Sequence, residues 1–139
     1  MPLRWFIDTG FVIALVSPRD AYHDIALDFS TRIQSESIKL ITSDAVLLEI
    51  GAALSRLAYR AAAIDILQSM RHDPHIEVIA LNTRLMDNAV GLFSARADKE
   101  WSLTDCVSFE LMRTHEIHEA LSADGHVEQA GFAALMRAH

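Results

Sequence analysis

The sequence predicts an α/β fold in which a central, mainly parallel sheet is covered on both faces by helices. Short apolar runs (LRWFI, IKLIT, IEVIAL) recur along the chain, and segments with apolar residues at helical spacing separate them. Regular alternation of strand and helix is the pattern of a parallel sheet, because each parallel crossover needs a helix to return the chain. At 139 residues there is enough chain for one core and too little for two, so residues 1–139 are expected to form a single domain.

The elements follow in order. "LRWFI", Leu3 to Ile7, reads as a buried strand that ends in a turn at Asp8-Thr9-Gly10. From Asp20, the positions Tyr22, Ile25, Ala26, Phe29 and Ile33 mark a helix. Ile38–Thr42 is the second strand. "SDAVLLEIGAALSRLAYR" follows as one helix, with Ser43 as N-cap and a stripe of Val46, Leu47, Ile50, Leu54 and Leu57. A further helix runs through Ile64, Leu67 and Met70 until "HDPH" stops it. Ile76–Leu81 is the third strand, and a helix with Leu85, Met86, Ala89, Val90 and Phe93 on one side comes next. "SLTDCVSFELMRTH" opens a helix with a capping-box pattern from Ser102 to Asp105. "IHEALSAD" is the fourth strand candidate, and "GFAALMRAH" closes the chain.

Composition narrows the function classes. With 51% hydrophobic and 22% charged residues the chain is ordinary globular protein. A net charge of −7 argues against coating nucleic acid by bulk attraction. Asp8 interrupts the only apolar run near the start, so no signal peptide is expected, and no segment is long enough to cross a bilayer. Cys106 stands alone, so no internal disulfide forms and a cytoplasmic location is expected.

Four isolated carboxylates stand out. Asp8 lies in the apolar run "RWFIDTGFVIAL", where a charge must find a partner or shift its pKa. It ends the first strand; Asp124 ends or just follows the last. Asp105 opens a helix, and Glu49 lies in the first two turns of the helix after the second strand. In a parallel sheet these places meet along one edge, where ligands bind. Crowded like charges must protonate or be neutralised by a cation, and hard oxygen donors suit Mg2+ or Mn2+. Each aspartate also has a plainer role open to it: Asp8 could cap the turn at Thr9-Gly10, Asp105 complete the capping box, and Asp124 serve as a turn residue before Gly125.

At these residues the chain resembles a known family. "FIDTG", "LLEIGAAL", "SLTDCVSFELM" and "SADGHVEQAGF" are similar to the four blocks of PIN-domain ribonucleases, closest to VapC-type toxins of toxin–antitoxin pairs, in the same order and over nearly the whole chain. Gly10, Ser122 and Val127 depart from residues common in that family, which bears on fine positioning and leaves the acid set intact. The resemblance implies a PIN-like three-layer α/β/α sandwich. It also implies hydrolysis of single-stranded RNA regions to leave a 5′-phosphate, at a site made of Asp8, Glu49, Asp105 and Asp124. One or two Mg2+ or Mn2+ ions held there would supply an activated water and neutralise phosphate charge. Asp8 and Asp105 are expected as the main metal-holding pair, with Glu49 contributing directly or through water and Asp124 completing the site or holding a second ion. Thr9 is expected to orient the Asp8 carboxylate through its hydroxyl or amide. A small antitoxin and a second copy of the chain are the implied partners.

On the helix carrying Glu49, Arg56 and Arg60 follow at seven and eleven residues, a row of roughly 16 Å that would suit RNA phosphates, with a solvated stripe as the alternative. His126 could contact substrate near Asp124. A phosphatase of the haloacid dehalogenase type would want an acid where Gly10 stands, and a receiver domain would want a lysine beside its acids; Lys39 and Lys99 match neither. The remaining alternatives are a PIN-like module that binds RNA or protein without cutting, and a housekeeping RNA-processing nuclease.

Overall fold

A computed structural model of the chain describes residues 3–137. Five strands form one sheet: β1 (Arg4–Ile7), β2 (Lys39–Ser43), β3 (Ile76–Ile79), β4 (Glu119–Leu121) and β5 (Ala133–Ala134). Their order is β3-β2-β1-β4-β5 and every pairing is parallel. The helices are α1 (Thr9–Val16), α2 (His23–Glu36), α3 (Asp44–Ala53), α4 (Leu57–His72), α5 (Thr83–Ala95), α6 (Leu103–Thr114) and α7 (Gly125–Gln129). The chain steps one way from β1 to β2 and β3, then returns past β1 to β4. Right-handed crossovers therefore place α1–α4 on one face and α5–α6 on the other, a three-layer α/β/α sandwich.

The central strands are apolar on both sides because both sides are covered. Trp5, Phe6, Ile7 and Ile41 are fully buried, and the Trp5 ring meets Phe29 of α2 edge-on at 5.6 Å. On the other layer Trp101 packs edge-on against Phe109 of α6 at 5.0 Å. Thr42, also buried, places its hydroxyl on the Ile7 carbonyl at 2.9 Å, so the polar group next to the sheet's upper edge is satisfied.

Four expectations need correction. The turn after β1 is the start of a helix: Asp8 is the N-cap of α1, and its carboxylate accepts the Thr9 amide. This helix has no amphipathic period to read, since Phe11, Val12 and Ala14 are buried while Ile13, Leu15 and Val16 pack against the core as well. The helix expected over 43–60 breaks after Ala53, with Ser55 placing its hydroxyl on the Ala52 carbonyl and Arg56 extended as the start of α4. Leu57, expected in the buried stripe, is 91% exposed. The fourth strand is shorter than "IHEALSAD" and is followed by α7, and the closing segment yields a turn through Gly131 (φ 95°) and β5; its last two residues lie outside those described. No helix among the described residues is long and apolar enough to cross a membrane.

Candidate active site

Strand order reverses between β1 and β4. Connections leave these two neighbours toward opposite faces, and a crevice opens at their carboxyl ends. Asp8 follows β1 and Asp124 follows β4, so both stand on that crevice. Asp105 reaches it from the first turn of α6. Glu49 reaches it from α3, which touches both α1 and α6. All four acids line one cavity of about 420 Å³. A larger cavity, about 590 Å³ between the start of α5 and the end of α6, gathers no comparable set of acids.

The plainer roles of the three aspartates turn out to coexist with a shared site. Asp8 caps α1 and Asp124 caps α7, accepting the His126 amide at 2.9 Å. Asp105 completes a full capping box with Ser102, both bonds at 3.0 Å. Each carboxylate is therefore fixed by the helix that carries it.

Hydrogen bonds tie the elements together across the crevice. Asp8 accepts the Thr9 amide on Oδ1 at 2.9 Å and the Ser122 hydroxyl on Oδ2 at 2.7 Å. The same Ser122 oxygen accepts the Asp124 amide at 3.0 Å. Thr9 divides its work: the amide holds Asp8, while the hydroxyl donates to Glu49 at 2.5 Å. His126 Nδ1 stands 3.1 Å from Asp105 Oδ2 and 3.6 Å from Asp124 Oδ1. The tightest group of donors is thus Asp105, Asp124 and His126, with one atom from each within 4.8 Å of the others.

Burial pushes the Asp8 carboxyl from its ordinary value of 3.8 up to about 6. The bonds from Ser122 and Thr9 pull against that rise, and the neighbouring charges of Asp105 and Glu49 add to it. A carboxyl so placed asks for a positive charge, and the cavity wall offers none: no lysine or arginine lines it among the described residues. Asp20 and Glu100 line it too, bringing the acids to six. The donor set fits a divalent cation.

Sequence reasoning missed Ser122 as the link between Asp8 and Asp124, although a serine two residues before an aspartate at a strand end is a readable turn signal. It also missed Asp20, Tyr22 and Glu100 on the cavity wall; nothing local to them points inward. The row from Glu49 through Arg56 and Arg60 does not exist, because the helix breaks between them. Arg56 starts α4, and the Arg60 guanidinium folds back onto the Ser55 carbonyl at 2.6 Å. Neither arginine lines the cavity.

Comparison with known proteins gives consistent matches. The family model described as PIN domain matches residues 5–133. The 23S rRNA-specific endonuclease VapC20 of Mycobacterium tuberculosis is 30% identical over 127 residues, covering 91% of this chain and 94% of that protein. The crystal structure of Mycobacterium tuberculosis VapC20, described as a sarcin-ricin loop cleaving toxin, superposes with a TM-score of 0.81 at 28% identity, covering 93% of this chain and 96% of that one. The structure of FitAcB from Neisseria gonorrhoeae shares the fold at a TM-score of 0.62 and 12% identity, covering 92% of this chain and 94% of that one.

Proposed function

The chain belongs to the PIN domain family, and from that membership we propose that it is a metal-dependent endoribonuclease, the toxin of a toxin–antitoxin pair. The observation that carries this reading is the convergence of Asp8, Glu49, Asp105 and Asp124 on one crevice at the switch point of the sheet. Relatives over nearly the whole chain that cut RNA support it.

A divalent cation bound by these acids would supply an activated water and offset charge on the phosphate and the leaving oxygen. Asp105 and Asp124 are the carboxylates best placed to hold it, and Glu49 and Asp8 complete the donor set. Asp8 keeps its place through Thr9 and Ser122, so its carboxylate does not have to be reorganised when substrate arrives. The Thr9 hydroxyl does the same for Glu49. Cation binding also relieves the repulsion among six acids that an incoming RNA phosphate would otherwise meet.

The test is incubation of the purified chain with ribosomal RNA, the substrate class of the relatives, and Mg2+ or Mn2+. Cleavage is expected at discrete positions, to stop with a chelator, and to leave 5′-phosphate ends that an RNA ligase accepts directly. RNA bound but uncut under all ion conditions would leave the binding-module reading in its place.

The proposed antitoxin would cover the apolar side chains left uncovered on α3 and α4: Leu48 is 71% exposed, Leu57 91% and Tyr59 50%. Leu57→Asp is expected to leave RNA cleavage unchanged and to abolish binding of the proposed antitoxin; binding at wild-type level would exclude this face. Val90 and Phe93 on α5, each nearly half exposed, are the patch proposed for pairing with a second copy, which sedimentation of the purified chain reads.

A further inference from the structure

His126 occupies a place that the carboxylate site does not require. Its Nδ1 stands near both Asp105 and Asp124, and the residue lines the same cavity. The His126 amide donates to Asp124 Oδ1 at 2.9 Å, which holds the ring and that carboxylate on one side of α7. Donors next to each other on a six-coordinate ion with bonds of about 2.1 Å stand about 3.0 Å apart. The spacing from Nδ1 to Asp105, 3.1 Å, is close to that figure, and the spacing to Asp124, 3.6 Å, is longer.

We propose that His126 is a direct nitrogen donor to the cation, in a triad with Asp105 and Asp124, and that the site thereby takes Mn2+ in preference to Mg2+. The inference rests on the metal-dependent nuclease reading and deepens it. Imidazole nitrogen suits first-row transition ions, whereas Mg2+ favours oxygen donors and keeps much of its water. The contact between His126 and Asp105 is then the metal-free arrangement of two ligands.

The experiment is Mn2+ titration of the whole chain followed by electron paramagnetic resonance, in wild type, His126→Ala and His126→Gln. Wild type is expected to bind Mn2+ with a nitrogen coupling of directly bound imidazole, and both variants to lose that coupling. Their Mn2+ affinity should fall about tenfold or more, and their Mg2+ affinity, read by displacement, less than about twofold. The ring is partly exposed, so the variants should fold, which circular dichroism checks. Bound Mn2+ without nitrogen coupling, or equal losses for both ions, would overturn the proposal and reduce His126 to a brace for Asp105; the nuclease reading would stand. Failure of wild type to bind Mn2+ at all would remove both.

Discussion

Asp8→Asn is expected to cut RNA at least about a hundredfold more slowly and yet to unfold at a higher temperature than wild type when both are free of metal at neutral pH. The stability gain follows from the raised carboxyl. Its pKa is about 6 in the folded protein against an ordinary 3.8, so the folded state holds the proton more tightly than the unfolded one. The favourable contribution of that proton is present at low pH and is lost as pH rises from about 4 through about 6. Above that window the ionised carboxylate costs about 1 to 3 kcal/mol, or several degrees in Tm. Asparagine keeps the shape without the charge. The wild-type and variant melting curves should therefore coincide near the lower pH and separate as it rises, and saturating Mn2+ should narrow the gap by stabilising wild type more than the variant. An Asp8→Asn protein less stable than wild type at neutral pH would mean that Asp8 is already compensated without an ion.

Ser122→Ala carries the second largest expected effect. The hydroxyl is fully buried, donates to Asp8 and accepts the Asp124 amide, so its loss removes one support from each of two acids. Unfolding by urea should show a loss of about 1 to 3 kcal/mol, the range for a buried polar group left without its partner. Cleavage should slow by about 10- to 100-fold, as when a supporting contact behind a metal ligand is deleted. With one donor gone, the Asp8 carboxyl rises further, and the acid limb of the cleavage profile should move to higher pH. A variant with reduced rate but an unmoved acid limb would show that Ser122 supports the Asp124 loop and not Asp8.

How much of this was legible in the sequence depended on whether the cause was local. The alternation of elements, the Ser43 and Ser102 caps and the four acids could all be read, because apolar period and capping pairs span only a few residues. An aspartate inside an apolar run announces itself wherever the chain goes. Helix α1 could not be read, since a helix buried nearly all round has no polar face to set its period. Ser122 could not be assigned to Asp8, because 114 residues separate them and only the adjacency of β1 and β4 brings them together. The Arg56 and Arg60 row failed for the opposite reason: a local rule was extended through a break that Ser55 introduces.

The meeting of β1 with β4 also sets when the protein can act. Asp8, Glu49 and Asp105 are all synthesised before β4 and the Ser122 and Asp124 that follow it exist, and closing so long a loop is the entropically costly step in assembling the crevice. The crevice therefore forms only once the chain beyond Leu121 has been made, and a chain truncated before Leu121 would carry most of the acids without the place where they converge.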